Sequence, residues 1–238
     1  NGSKYALFLL GCLVYDKRHY QEGADLFTRY TQEVPTDYMG WRCLAVACFS
    51  HLNRKDYALC YMKKAIELSD STQLVFEAAA LMDKMGIDPV EKIAMLKASK
   101  MDLDNLFTEL AKAYNQNGEP EKALDVLNNH SYVACEGGEH AISEQYMFAH
   151  YLIAERLMKE GNYEEAAKTL KFGQIIPDHL GSGIWNRCKY VPYQYKYALC
   201  CEKLGNVEEA HNTSSRIEDK DNIQSEPESN PILVALNR

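Results

Sequence analysis

The polar segment around Cys135 holds side-chain types that could do chemistry. His130 and His140 flank this cysteine, and Glu136 and Glu139 lie between Cys135 and His140. Such a set supplies a nucleophile, two bases and metal ligands. A catalytic cysteine also needs a histidine that a third group orients, and no family signature surrounds this one. We therefore interpret the segment as a structural loop without a catalytic role.

A second candidate is Asp178 and His179, which precede Ser182 in a Gly-Ser-Gly string. A hydrolase nucleophile elbow reads G-x-S-x-G between a strand and a helix, and neither condition holds here. The chain also lacks the phosphate-loop motif G-x-x-x-x-G-K, the dinucleotide motif G-x-G-x-x-G after a strand, and the zinc motif H-E-x-x-H. We therefore predict that the protein is not an enzyme, with no catalytic residue, no cofactor and no metal site.

Composition narrows the function classes further. The 238 residues include 34 acidic and 26 basic side chains, a formal net charge of -8 that disfavours a nucleic-acid partner. The longest uncharged apolar stretch, residues 5–15, is far below the roughly 20 residues of a membrane span, so we predict no membrane partner. Eight cysteines without a C-x-x-C pair are typical of buried free thiols, which favours a reducing, cytoplasmic location.

The spacing of apolar and small residues predicts helices in pairs. In the first helix, inward packing is expected at i, i+3, i+4 and i+7, that is, at Leu7, Leu10, Gly11 and Val14. After a polar break the same spacing returns at Gly23, Leu26, Phe27 and Tyr30, and Pro35 then ends the segment. The next segment repeats the order with Trp41, Leu44, Ala45 and Cys48, followed by Ala58, Met62 and Ala65. The repeated unit is therefore a helical hairpin.

This unit resembles the tetratricopeptide (TPR) repeat. The TPR signature reads W-x2-L-G-x2-Y, then A-x3-F, then P, and the first unit here reads L-x2-L-G-x2-V, then G-x3-F, then P. Small residues at Gly11 and Gly23 would let the two helices of the hairpin approach closely, while Phe27 fills the gap to the next hairpin. The turn strings Asn117-Gly118-Glu119, Gly161-Asn162-Tyr163 and Gly205-Asn206-Val207 match one another in later units.

We expect an all-α, right-handed α-α superhelix of about six hairpins, at residues 4–37, 38–71, 72–103, 104–134, 147–177 and 191–217. The small-residue position of the second helix falls at 23, 58, 92, 123, 166 and 210, in steps of 35, 34, 31, 43 and 44. Lys92 takes this position in the third hairpin, the weakest match, and we expect Lys92→Leu to be tolerated. The two long steps predict inserted loops at 131–140 and 178–190. Residues 218–238 read as a polar tail with a short apolar end.

The last third of the chain has a second resemblance. Residues 177–183 read PDHLGSG, and Tyr197, Leu204-Gly205 and Glu208 to Ala210 follow. This string is similar to the C-terminal TPR region of bacterial proteins with an upstream sugar-mutarotase-like β-sandwich domain. The resemblance implies a bacterial parent protein, whose sandwich and sugar-active residues are not in this chain.

Candidate partner-binding residues follow from the TPR resemblance, because the first helix of each hairpin lines a groove in that family. The matching positions in our prediction are Tyr5, Phe8, Tyr15, Glu77, Leu81, Thr108, Lys112, Asn115, Tyr151 and Glu155. Trp185 and Arg187, in the inserted loop 178–190, form a second candidate, because tryptophan and arginine are common in binding hot spots. Burial of Trp185 as an anchor under this loop is the alternative interpretation.

The sequence thus favours a scaffold that binds a peptide or protein segment on a concave helical surface. The alternative is a non-catalytic structural or oligomerisation module of a larger, carbohydrate-active, bacterial protein. The first helix is unusually apolar for a terminal repeat, whose outer face should be hydrophilic. We therefore expect preceding repeats or a domain to cover this helix in the full-length protein. In this fragment we expect self-association through the N-terminal helix, or cover by the apolar tail Ile232 to Leu236.

Overall fold

The computed structural model describes residues 2–133, 139–181 and 191–217, and every regular element in these ranges is helical. The predicted all-α, helical-hairpin class is confirmed. The helices are α1 (Gly2–Asp16), α2 (Tyr20–Glu33), α3 (Tyr38–Ser50), α4 (Lys55–Glu67), α5 (Thr72–Met85), α6 (Pro89–Ala98), α7 (Asp104–Gln116), α8 (Pro120–Asn128), α9 (Glu139–Lys159), α10 (Tyr163–Phe172), α11 (Val191–Lys203) and α12 (Val207–Ile217). A short 3-10 turn follows α10 at Asp178–Leu180.

The chain divides into two compact units, Asn1–Leu106 and Phe107–Arg238. In the first unit α1 packs on α2, α3 on α4 and α5 on α6, and each pair contacts the next through its second helix. The core of this unit is built from alanine, leucine and methionine, with Ala45, Ala58 and Ala65 fully buried. In the second unit α9 packs on α10 and α11 on α12 around Tyr151 and Tyr193.

Close helix approach in the first hairpin depends on two glycines. A Cβ atom on Gly11 would lie 2.8 Å from the Phe27 ring, inside van der Waals contact. A Cβ atom on Gly23 would lie 3.1 Å from Tyr15 Cβ and 3.3 Å from the Gly11 carbonyl oxygen. Both glycines therefore stand where the backbones of α1 and α2 come nearest, as the repeat pattern predicted.

One turn geometry recurs in all six hairpins of the described residues. Two or three positions before the second helix begins, a residue adopts a φ between 52° and 79°, at Arg18, Asn53, Gly86, Gly118, Gly161 and Gly205. Glycine reaches this left-handed region without steric cost. At the end of α9, for example, Asn162 N then donates to Leu157 O at 2.8 Å, which satisfies a free carbonyl at the helix end.

The start of α9 differs from the sequence expectation. We expected the fifth hairpin to begin at residue 147, after an inserted loop, but α9 begins at Glu139. Ile142 and Tyr146 are buried within this extension, at helical spacing. Two extra turns therefore replace part of the expected loop, because they carry apolar side chains that helix formation buries.

Lys92 corrects a second expectation. Its side chain is only 1% exposed, and its Nζ lies 2.7 Å from Asp83 Oδ1 on α5. The position that other hairpins fill with a small residue here holds the cation of a buried ion pair. Lys92→Leu would leave the Asp83 carboxylate without this cation, so the structure predicts that the substitution destabilises the fold, in place of the tolerance that the sequence suggested.

Candidate functional site

The aromatic residues predicted on α1 do not share one environment. Tyr5 is exposed, whereas Phe8 and Tyr15 are half-buried against the core of the first unit. The Phe8 ring centroid lies 5.2 Å from that of Tyr30, and the Tyr15 centroid lies 6.2 Å from that of Phe27. The inward face of α1 therefore includes Phe8 and Tyr15.

This arrangement corrects the face that the sequence assigned to α1. Leu10 was expected to pack inward, but it is 47% exposed. The reason is Gly11, which is buried against Phe27 and so turns its own side of the helix toward α2. Leu10 lies on the solvent side of α1 together with Leu9 and Leu13.

In the second unit, three of the five predicted groove residues, Thr108, Asn115 and Tyr151, are buried. Asn115 is 3% exposed, and its Nδ2 donates to the backbone oxygen of Gln145 at 3.0 Å and to Gln145 Oε1 at 3.1 Å. Tyr151 is fully buried, and burial raises the pKa of its hydroxyl far above the ordinary value. Lys112 on α7 and Glu155 on α9 are half-buried and keep part of their side chains accessible. Asn115 and Tyr151 thus have packing roles.

The remaining sequence candidates lie outside the described residues. These are Trp185 and Arg187 in the second inserted segment and Cys135 in the first. Among the described residues, no three His, Cys, Asp or Glu side chains converge as a metal ion would require. Within the same ranges, no helix combines the length and apolarity needed to cross a bilayer.

A concave pocket with a cavity volume of about 230 Å³ lies between α3 and α5 in the first unit. Val46, Phe49 and Phe76 are half-buried and give it an apolar wall, and Ser50 and Lys84 are exposed at its rim. We call this pocket the α3–α5 groove. Its full lining is Arg42, Ala45, Val46, Phe49, Ser50, Met62, Phe76, Glu77, Ala80, Leu81 and Lys84.

Charged side chains of the α3–α5 groove are held in defined positions. Arg42 Nε donates to Glu77 Oε2 at 2.7 Å, and Arg42 Nη2 donates to Glu77 Oε1 at 2.8 Å. These two hydrogen bonds raise the pKa of the Arg42 guanidinium above its ordinary value, despite partial burial. The Lys84 ammonium lies 5.9 Å from the centre of the Phe49 ring. The groove thus combines a neutralised ion pair, an apolar wall and one exposed cation.

Our predictions named two lining residues of this groove, Glu77 and Leu81, but did not use the repeat register that links them to α3. Phe8, Cys12 and Tyr15 on α1, shifted by one repeat of 34 residues, fall on Arg42, Val46 and Phe49 of α3. A further 35 residues lead to Glu77, Leu81 and Lys84 of α5. All six of these shifted positions line the groove. Repeat register therefore identifies it, because equivalent positions of successive first helices share one face.

His150 is a buried titratable group in the second unit. It is buried, its ring centre lies 4.7 Å from that of Tyr146 and 5.4 Å from that of Phe172, and neither ring nitrogen has a hydrogen-bond partner among the described residues. Burial lowers its pKa from 6.5 to about 4. His150 is therefore a neutral core residue at neutral pH, packed against Tyr146 and Phe172.

No protein-family model matches the chain. Solved structures with a similar fold include YrrB, described as a TPR protein with an unusual peptide-binding site, at 17% identity and a TM-score of 0.53 over 90% of this chain and 98% of that one. A chain of Naa15/Naa10 bound to HypK-THB matches at 19% identity and a TM-score of 0.52, over 92% of this chain and 37% of that one. MamA from Desulfovibrio magneticus RS-1 matches at 11% identity and a TM-score of 0.51, over 79% and 97%. At these identities the matches establish the fold, which is that of TPR proteins.

Proposed function

We propose that the protein is a non-catalytic interaction scaffold that binds a peptide segment of a partner protein in the α3–α5 groove. The observation that carries the proposal is the juxtaposition of an apolar wall with the exposed ammonium of Lys84. Val46, Phe49 and Phe76 remain half-buried without a bound segment, so an apolar partner side chain would remove their remaining surface from water.

The charges of the groove determine which side chains of a partner segment would fit it. Arg42 already has a carboxylate partner in Glu77, so its two hydrogen bonds would have to break before it could bind another anion. Lys84 keeps an accessible ammonium beside the apolar wall. A segment that places a bulky apolar side chain next to an aspartate or glutamate therefore fits the groove best.

The fold supports this function by analogy. YrrB is described as having a peptide-binding site, and the Naa15/Naa10 structure is of a complex with HypK-THB. Six cysteines of the described residues are free thiols, which supports the proposed reducing, cytoplasmic location. Tyr5, Phe8, Tyr15, Lys112, Trp185 and Arg187 remain predicted contact residues, and the bacterial origin and the sugar-mutarotase-like parent remain predictions as well.

The test is a peptide selection followed by titration. Peptides are selected from a random display library on the full chain, and the affinity of the best peptide is measured by isothermal titration calorimetry. We expect enrichment of an acidic residue beside a bulky apolar one. Lys84→Glu should weaken binding about tenfold or more, because it places a carboxylate where the peptide presents its own.

A matched control uses the same charge reversal elsewhere in the first unit. Lys97 is exposed on α6 and does not line the groove, so Lys97→Glu should leave the affinity within about twofold of the wild-type value. Equal losses for Lys84→Glu and Lys97→Glu would mean that net charge governs binding. Selection of no peptide, or of peptides insensitive to Lys84→Glu, would contradict the proposal.

The alternative of an oligomerisation module has one observation in its favour, the exposed apolar face of α1. That face is on a different helix from the α3–α5 groove, and the two functions are compatible.

A further inference from the structure

Two cysteine thiols from different hairpins meet inside the first unit. Cys12 lies on α1 and Cys43 lies on α3, 31 positions later in the chain. A hydrogen bond joins their side chains, so the two sulfur atoms are near neighbours. Both side chains also pack against the core of the first unit. Because α2 contacts both α1 and α3, the packing of the hairpins holds the two thiols together.

Cys12 and Cys43 combine this contact with access to solvent. Both are half-buried free cysteines, so a reagent in solution can reach them. Cys48, Cys200 and Cys201 are buried, which shields their thiols from such reagents. Cys200 and Cys201 are also adjacent on one helix, where neighbouring side chains do not face each other. The Cys12–Cys43 pair is therefore built from two helices and open to reaction.

The surroundings of the pair determine how fast it reacts. Burial raises the pKa of the Cys43 thiol to about 11 and also raises the pKa of Cys12. The nearby Arg42 guanidinium opposes this rise at Cys43 without cancelling it. Both groups are thus protonated at neutral pH, and a protonated thiol attacks slowly because the thiolate is the nucleophile. These properties suit a slow, lasting link and not a rapid catalytic cycle.

We propose that Cys12 and Cys43 form a reversible disulfide that links the first two hairpins under oxidising conditions. The oxidant is a low-molecular-weight disulfide. The thiolate of one cysteine attacks it, which breaks the small S–S bond, releases one small thiol and leaves a mixed disulfide on the protein. The second cysteine then attacks the protein sulfur of this mixed disulfide and releases the other small thiol. The two cysteines lose two electrons and two protons, and the small disulfide gains them as it becomes two thiols.

The link changes the stability of the first unit. A bond between positions 12 and 43 closes a long loop in the unfolded chain and so reduces its conformational entropy. In a reducing compartment the pair stays as two thiols, which agrees with the proposed location. The proposal does not depend on peptide binding in the α3–α5 groove.

The test is oxidation of the full chain followed by peptide mapping. The reduced protein is incubated with oxidised glutathione at mildly alkaline pH, alkylated, and digested without reductant for mass spectrometry. We expect two peptides, carrying Cys12 and Cys43, joined covalently with the loss of two hydrogens. Cys60, which is exposed on α4, should instead carry glutathione and so report that the oxidant has reacted. When reduced glutathione is added, the Cys60 adduct should be reversed first, because the internal bond benefits from the high effective concentration of its partner thiol.

Thermal unfolding gives a second measurement. Oxidation should raise the Tm of the wild type and of the control variant Cys60→Ser by about 5 °C or more, and should not raise it in Cys12→Ser or Cys43→Ser. Recovery of Cys12 and Cys43 as separate glutathione adducts or as unreacted thiols, while Cys60 is modified, would overturn the proposal. A link that is reversed together with the Cys60 adduct, or that leaves the Tm unchanged, would also overturn it.

Discussion

Replacing Lys92 by leucine removes the cation of a buried ion pair between α5 and α6. The Lys92 side chain is 1% exposed and that of Asp83 is 15% exposed. Breaking a buried pair by removing one partner costs about 3–5 kcal/mol, and the remaining exposure of Asp83 favours the lower end of that range. We therefore expect Lys92→Leu to lower the free energy of unfolding by about 3 kcal/mol.

The assay is urea unfolding of the full chain, followed by far-UV circular dichroism, for Lys92→Leu, Asp83→Leu and the double variant. The double variant removes both charges and should recover most of the loss, because an apolar pair can replace a buried ion pair at little cost. Lys63→Leu serves as the control, since Lys63 pairs with Glu91 at the surface and its loss should cost less than about 1 kcal/mol. A Lys92→Leu effect no larger than that of Lys63→Leu would refute the reasoning.

Three further predictions concern packing and pH. The unfolded chain protonates His150 near its ordinary pKa of 6.5, and the folded chain protonates it only near 4. The free energy of unfolding should therefore be intact above pH 6.5 and fall by up to about 3 kcal/mol as the pH drops to 4. The His150→Gln variant should lack this part of the loss, and an equal pH dependence of the wild type and the variant would contradict the prediction. Gly173→Ala should lower the free energy of unfolding by at least about 2 kcal/mol, because the new Cβ would overlap the Tyr193 hydroxyl and lie 2.6 Å from His150 Cβ. Thermal unfolding measures this loss, and an unchanged Tm would show that these side chains move aside. Gly23→Leu should lower the free energy of unfolding by about 1–3 kcal/mol, because the new side chain would meet Tyr15 and the backbone of α1. An unchanged free energy of unfolding would contradict the close approach of α1 and α2.

The hairpin architecture could be predicted from the sequence because its signals are local. Small residues at Gly11, Gly23 and Ala58 mark helix crossings, and the strings around Gly118 and Gly161 mark turns. Arg18 and Asn53 occupy the same left-handed turn position without being glycine, so sequence matching passed over them. Asparagine adopts a positive φ more readily than most non-glycine residues, so Asn53 fits this position, whereas arginine has no such preference.

The face of α1 and the environment of Lys92 could not be predicted in the same way. Almost every residue of α1 from Tyr5 to Tyr15 is apolar, so periodicity does not distinguish an inner from an outer face. Only the approach of Gly11 to Phe27 settles the orientation. The sequence does not reveal that Lys92 pairs with Asp83, because this contact depends on the tertiary packing of α5 and α6.

The candidate-site residues also divide into those that the sequence could identify and those that required the structure. Tyr5, Phe8 and Tyr15 were identified by the family pattern on a single helix. The family pattern gave only Glu77 and Leu81 of the α3–α5 groove, and the rest needed the comparison of successive first helices. The burial of Asn115 and Tyr151 needed the positions of their neighbours.

The most direct test of peptide binding in the α3–α5 groove is site-specific photo-crosslinking with the selected peptide. The photoreactive residue p-benzoylphenylalanine is placed either at Ser50, exposed at the rim of the groove, or at Tyr57, which is 60% exposed on α4 and outside the groove lining. The account predicts a peptide adduct from position 50 that excess unlabelled peptide suppresses, and no such adduct from position 57. An adduct from position 57 but not from position 50 would place the binding surface elsewhere and contradict the proposed function.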